Sequence, residues 1–316
     1  MAVFTPINQE ELISFLDQYE IGKLISFEGI LEGIENTNFK IETESKKYIL
    51  TIFEKRVNPR DLPFFVNLQG HLSKKQYSCP QPIANKNGDS INVLKGKSSI
   101  LISYLDGEKT PKIHKIHCEQ VGKSLGLFHK NTEDFMQRRV NSMGLKQWND
   151  IFLKCKKLKF NKYQKFMPLV EKELLFLNKK WPKNLPEGII HGDVFRDNVF
   201  FIKDQFSGLI DFYFSCNDFL SYDVAITINA WCFDNNSFDK NKFISLIKGY
   251  QSIRKINFDE LNKFSILLRA ASLRILITRI HDELFHPEGA FVQPKNPEEY
   301  IFILKFHQQE NIAEYI

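Results

Sequence analysis

The sequence predicts an α+β protein in two lobes, a small β-rich N-lobe over residues 1–104 and a larger, mainly helical C-lobe over residues 105–316. Three observations predict it. Phe39 and Ile41, then Tyr48, Leu50 and Ile52, alternate with polar neighbours, which is the period of half-buried strands. Beyond Leu105-Asp106-Gly107 the apolar residues recur instead at helical spacing. A single β element, residues 188–212, interrupts those helices and carries a dense set of polar residues.

Asn8 with Glu11 forms a capping-box pattern, and Leu12, Phe15, Leu16 and Tyr19 follow at helical spacing. Strands are expected from Phe27 to Gly33 and on both sides of a polar turn at 44–47. A helix over 62–72 precedes strands over 91–94 and 99–105 around Gly96. Helices are expected over 117–131, 163–181, 223–232, 243–250 and 260–284, and Lys154-Cys155-Lys156-Lys157 reads as a solvated helix face.

A hydrophobic share of 43% and 29 Phe residues supply a sizeable core, with no polar, aromatic-poor stretch of the disordered kind. The net charge of +5 is spread along the chain, without the dense basic face that a nucleic-acid surface needs. The five cysteines are scattered and form no Cys-x-x-Cys pair, against a disulfide framework or a structural zinc site. Residues 1–11 lack the pattern of a signal peptide, and no apolar run reaches the ~18 residues of a membrane span. A cytoplasmic protein without nucleic-acid or membrane partners is expected; oligomeric state is not legible.

The chemistry concentrates in Gly188-Ile-Ile-His191-Gly192-Asp193-Val-Phe-Arg-Asp197-Asn198-Val-Phe-Phe-Ile202, a polar turn over 203–207, and Gly208-Leu-Ile-Asp211-Phe212. Two apolar runs around a polar turn read as a hairpin, with Asn198 before its first strand and Asp211 at the end of its second. Antiparallel pairing sets such positions about 5 Å apart by Cα. A carboxylate and an amide oxygen so placed suit a hard cation such as Mg²⁺, which also takes phosphate oxygens. Asp193 in the preceding loop is placed to accept a proton from a substrate hydroxyl. That trio is what phosphoryl transfer requires. His191 reads as structural, holding the loop. Gly96-Lys97-Ser98 and Gly122-Lys123-Ser124 imitate the end of a P-loop, but the required earlier glycine is Ile91 in one and His117 in the other. Gly29 and Gly33 are a weak signal for a phosphate-covering hairpin.

On His-Gly-Asp-x-x-x-x-Asn and Ile-Asp-Phe, the chain resembles the aminoglycoside phosphotransferase and choline kinase superfamily, relatives of protein kinases. Glu32–Phe39, Tyr48–Arg56, Asp61–Phe65, Asp211–Phe214, Tyr222–Ile226, Asn229–Phe233 and Pro294–Pro297 are similar to its homoserine kinase members. The resemblance implies a two-lobed protein-kinase-like fold and transfer of phosphate from ATP, with Mg²⁺, to the hydroxyl of L-homoserine, a step toward threonine. It implies Asp193 as base, Asn198 and Asp211 as metal ligands, Asp223 as a buried brace of the catalytic loop, and Ser103 to Leu105 as the adenine-reading hinge. Superfamily members often carry a Lys or Arg on the strand over 48–53, and here that slot holds Thr51. Lys55 lies about 13 Å further along the strand. Lys55 or Arg56 compensates, or ATP relies more on the metal.

A homoserine site needs a partner for the substrate carboxylate. Arg269, Arg274 and Arg279 lie on an otherwise apolar helix and read either as a clamp, with Arg274 and Arg279 foremost, or as structural ion pairs. Tyr213, Asn229 and Trp231 are further substrate-binding candidates. The rival functions are a kinase for choline, a thiosugar or an aminoglycoside, and a silent nucleotide-binding module.

Overall fold

Asn8 starts the first helix as the sequence expects. In the computed structural model, which describes residues 4–31, 36–54, 57–158, 161–286 and 294–316, its side chain accepts from the Glu11 amide while Glu11 caps in return. This helix, α1 (Gln9–Leu16), is followed by β1 (Leu24–Ile30), β2 (Thr37–Thr43), β3 (Lys47–Ile52), α2 (Leu62–Lys74), β4 (Pro82–Ile83), β5 (Ile91–Leu94) and β6 (Lys97–Ser103). The strands form one antiparallel sheet in the order β1-β2-β3-β6-β4, with β5 on β6. Phe39, Ile41, Tyr48, Leu50 and Ile52 all face a cluster closed by Leu12, Phe15 and Leu16 of α1. Each fully buried apolar side chain contributes about 1.5–3 kcal/mol, so α1 is held mainly by packing on the sheet.

The helical part runs α3 (Lys115–Asn131), α4 (Leu145–Lys157), α5 (Met167–Lys180), β7 (Glu187–Ile190), β8 (Val199–Ile202), β9 (Gln205–Leu209), β10 (Cys216–Phe219) and α6 (Leu220–Trp231). It ends with β11 (Phe233–Asp234), β12 (Ser237–Phe238), α7 (Lys240–Gln251), α8 (Phe258–Leu284) and α9 (Glu298–Gln309). α6 is apolar on nearly every face and is accordingly buried almost throughout. The pair β11 and β12, β10 and the helix α9 have no counterpart in the sequence reading. The 203–207 turn is shorter than expected: only Lys203 and Asp204 connect β8 to β9, both at positive φ, as the tight right-twisted hairpin turn requires.

The described residues divide into two units, one reaching to Gly107 and including Ser207–Tyr213, the other made of Glu108–Phe206, 214–286 and Pro294–Ile316. This differs from a single cut at 104/105. Residues 207–213 fall with the first unit because the Leu209 amide donates to the Ser78 carbonyl at 3.1 Å and Gly208 lies directly against Leu105 and Ser78. All five cysteines are buried free thiols, and burial pushes Cys79 and Cys118 up to about 12. Among the described residues no helix is long and apolar enough to cross a membrane.

Both P-loop imitations have structural roles. Gly96 turns the β5–β6 hairpin at φ +73°. Gly122 lets α3 press on α7, since a Cβ there would stand 2.0 Å from the Leu246 carbonyl oxygen; Gly249 returns the contact against Glu119. A backbone atom cannot yield as a side chain can. Gly122→Ala is therefore expected to destabilise the fold by about 1–3 kcal/mol or more, measured by denaturant titration. An unchanged midpoint would refute the close packing.

Candidate active site

The loop between β7 and β8 carries Asp193 and Asn198, and its shape is imposed by buried groups around it. β7 pairs antiparallel with β10, which leads directly into α6 and puts Asp223 on that helix's first turn. The Asp223 carboxylate is fully buried and accepts from the amides of His191 at 2.7 Å and Gly192 at 2.9 Å. His129, reaching in from α3, sits 3.1 Å from the same carboxylate and 2.9 Å from the Tyr250 hydroxyl. Burial alone would push the Asp223 carboxyl up, but the His129 hydrogen bond and charge, with His191 and the Gly192 amide, outweigh it and hold it below the usual carboxylate range. A depressed carboxyl stabilises the fold above its unfolded pKa, and that contribution fades as pH falls through the depressed value.

Within the loop, the Asn198 side-chain amide donates to both the Asp193 carbonyl at 2.9 Å and the Asp193 carboxylate at 2.8 Å. That commits the amide nitrogen, and no protein donor meets the Asn198 Oδ1 among the described residues. The Asp193 amide in turn meets His191 Nδ1 at 3.3 Å, so His191 belongs to the loop scaffold. Arg196 anchors the outer turn by donating to the Ala230 carbonyl, the Phe233 carbonyl and Asp234, each at 2.7 Å. Trp231 donates to the Val194 carbonyl at 2.9 Å from the buried end of α6. Lys295 donates to Asp197 at 2.5 Å and lies 5.7 Å from the centre of the Phe195 ring. Arg196, His129 and Lys295 escaped the sequence reading. For Lys295 the one available signal was its Pro-Lys-Asn-Pro segment.

Asp211 stands two residues beyond β9 with φ +65°, a left-handed backbone that a non-glycine residue adopts at a cost and that concentrates at functional positions. Two residues on, the Tyr213 ring packs edge-on against Phe53 at 5.1 Å and Phe65 at 5.6 Å. Its hydroxyl hydrogen-bonds to Thr51, and burial pushes that hydroxyl up. Thr51 donates onward to Asn38 Oδ1 at 2.8 Å. The slot that often holds a phosphate-contacting Lys is thus filled by a buried hydroxyl engaged with its own unit. Gly33, Lys55 and Arg56 lie outside the described residues. At the expected hinge, the Ser103 amide donates to the Gln81 carbonyl at 2.8 Å, whereas the Leu105 amide and carbonyl meet no partner among the described residues.

The substrate candidates separate by environment. Asn229 is buried, donating to Leu268 and Ser272 with His307 on its carbonyl at 2.8 Å. Arg274 is buried and donates to the Gly192 carbonyl at 2.6 Å. Arg279 is half-buried, paired with Glu299 at 2.7 Å, and lies 4.5 Å from the centre of the Tyr300 ring. Burial pushes the Tyr300 hydroxyl up, the Arg279 charge opposes that, and the Glu299 and Asp193 charges add to it. Arg269 is a structural ion pair, bidentate to Glu173 at 2.7 Å.

No group of three His, Cys, Asp or Glu side chains able to hold a metal occurs among the described residues. A Mg²⁺ ion shared with phosphates does not need one, because one carboxylate and one amide oxygen suffice beside phosphate and water ligands. The freed Asn198 Oδ1 fits that role.

Residues 26–255 match the model of the phosphotransferase enzyme family. The chain is 43% identical over 309 residues to homoserine kinase of Rhizobium meliloti, covering 98% of this chain and 95% of that protein. It is similar in fold to spectinomycin phosphotransferase in complex with ADP and spectinomycin, with TM-score 0.70 and 16% identity over 98% of both chains. It is likewise similar to an amicoumacin kinase in complex with AMP-PNP and Ca²⁺, with TM-score 0.69 and 13% identity over 98% of this chain and 94% of that one. The fold is protein-kinase-like, with a β-rich first part and a helical second part.

Proposed function

The chain belongs to the phosphotransferase enzyme family, on its homoserine kinase branch, and from that premise we propose that it transfers the γ-phosphoryl group of ATP, with Mg²⁺, to the hydroxyl of L-homoserine in the cytoplasm. The observation that carries the reading is the Asn198 amide, which donates to the Asp193 carboxylate and leaves its own oxygen free. Asp193 takes the hydroxyl proton as the hydroxyl oxygen forms its bond to phosphorus and ADP leaves. Asn198 Oδ1 and the Asp211 carboxylate would hold Mg²⁺, which when bound neutralises phosphate charge. The unpartnered Leu105 backbone, beside Ser103, serves as the adenine-reading edge. Of the substrate candidates, Arg279 is assigned to the carboxylate of homoserine, because it lies over the Tyr300 ring, whose hydroxyl is within electrostatic reach of Asp193. Tyr213, Asn229 and Arg274 are engaged by their own cores and are assigned supporting roles.

Asp193→Asn tests the reading. It removes the proton acceptor while keeping the side chain's shape, so turnover is expected to fall by about 10²-fold or more. Mg·ATP affinity, read by calorimetry, is expected to hold, since the residue faces the acceptor alcohol. A folded variant with near-normal turnover would remove Asp193 from the mechanism.

A further inference from the structure

Arg274 differs from four other arginines of the fold. Arg196, Arg254, Arg269 and Arg279 each pair with a carboxylate, namely Asp234, Glu260, Glu173 and Glu299. Arg274 is more deeply buried than any of them, at 4% exposure, yet no ion pair joins it among the described residues and its Nε has no partner. It donates to the Gly192 carbonyl at 2.6 Å, the Phe214 ring lies 5.4 Å from its guanidinium carbon, and the buried Tyr222 hydroxyl and Asp218 carboxylate lie within reach of its charge. A buried guanidinium is costly to desolvate, so its position needs a reason in what it touches. What it touches is the peptide immediately before Asp193.

That peptide is gripped from the other side as well. The Gly192 amide donates to Asp223 at 2.9 Å, and the His191 amide donates to the other oxygen of the same carboxylate at 2.7 Å. Gly192 itself takes φ +76°, and a Cβ there would stand 3.2 Å from the Phe214 carbonyl oxygen. A buried anion thus holds the N–H of Gly192 and a buried cation holds its C=O, both by charge-assisted hydrogen bonds. With both ends fixed, the residue cannot rotate, and the Cα–Cβ direction of Asp193 is set by its neighbour.

We propose that Arg274 is a positioning residue that, opposite Asp223, locks the Gly192 carbonyl and so aims Asp193 at the acceptor hydroxyl, rather than a clamp for the substrate carboxylate. The inference rests on Asp193 being the base. It assigns Arg274 an effect on kcat and leaves substrate selection to other groups. A displacement of about 1 Å at a reacting group costs on the order of 10²-fold in rate, which sets the scale of the expected loss.

The test uses the full chain with Arg274→Met, Arg274→Lys, Asp193→Asn and the double variant Asp193→Asn/Arg274→Met, each checked for folding by circular dichroism. Arg274→Met is expected to lower kcat by about 10²-fold while KM for homoserine moves by less than about threefold. The preference for homoserine over its analogue lacking the carboxylate is expected to stay unchanged. Arg274→Lys keeps one donor and is expected to recover part of the lost kcat. In the Asp193→Asn background, adding Arg274→Met is expected to cost less than about threefold more, because a group that acts through Asp193 has nothing left to aim. A rise in KM for homoserine alone, with preference collapsing toward the decarboxylated analogue, would overturn the proposal in favour of a carboxylate clamp. Multiplicative losses in the double variant would overturn it in favour of a general structural role. If Arg274→Met does not fold, the same comparisons with Arg274→Lys decide between these outcomes. Near-normal turnover of Asp193→Asn by itself would instead sink the underlying assignment of the base.

Discussion

Asp211→Ala is expected to abolish measurable turnover, a loss of about 10³-fold or more. A metal-held phosphate typically accounts for several kcal/mol of transition-state stabilisation, and each 1.36 kcal/mol is tenfold in rate. Asp211 supplies the charged half of the proposed ligand pair, and the neutral Asn198 Oδ1 cannot neutralise a divalent cation by itself. Alanine carries a second effect, because position 211 has φ +65° and alanine adopts that backbone less readily than aspartate. Asp211→Asn separates the two, since asparagine tolerates the left-handed region and loses only the charge. Both variants are expected to weaken Mg·ATP binding in calorimetry, and to weaken Mn²⁺ binding to the ATP complex as read by electron paramagnetic resonance. Asn198→Ala is expected to do the same more mildly. Unchanged Mg·ATP affinity in both Asp211 variants would contradict the assignment.

What the sequence disclosed and what it hid divide along chain distance. The capping box of Asn8 and Glu11, the alternation of Phe39 and Ile41, and the placing of Asn198 before β8 are set within a few residues and are present as read, whereas Asp211, read at the end of the second strand, lies two residues past β9. The supports of the loop between β7 and β8 are different in kind. His129 reaches Asp223 across 94 positions and Arg274 reaches Gly192 across 82, and neither pairing leaves a mark in local periodicity. Arg274 shows the difficulty best. An arginine on an apolar helix signals that something polar meets it, but the partner is a backbone carbonyl, and carbonyls carry no sequence signature. Thr51 was legible only as a departure; that it closes onto Tyr213 depends on a turn 162 residues away in the chain, which only the fold brings near. The length of the 203–204 turn is hidden for a local reason, because Lys203 takes positive φ there without the glycine, asparagine or aspartate that usually announces it.

The other large effect concerns the alcohol that is phosphorylated. In the proposed reaction homoserine would offer its hydroxyl to Asp193 and, a few bonds away, an ammonium and a carboxylate that must both be matched. A site whose buried polar groups are built to pair with a substrate rejects analogues that leave them unpaired, often by about 10⁴-fold. Full ADP release is therefore expected with L-homoserine, and about 10⁴-fold less with choline, an aminoglycoside or homoserine stripped of its carboxylate. The structural likeness to antibiotic kinases does not lead to the opposite expectation, because at 16% and 13% identity it reaches the fold and not the acceptor pocket. Arg279→Met separates recognition from chemistry. The Arg279 guanidinium forms a fork suited to a carboxylate, and its loss is expected to raise KM for homoserine while leaving the slow reaction of the decarboxylated analogue almost untouched. Should choline or an aminoglycoside outperform homoserine, the proposed acceptor is wrong. If ATP binds and no alcohol is phosphorylated, the trio of Asp193, Asn198 and Asp211 holds a nucleotide without turning it over.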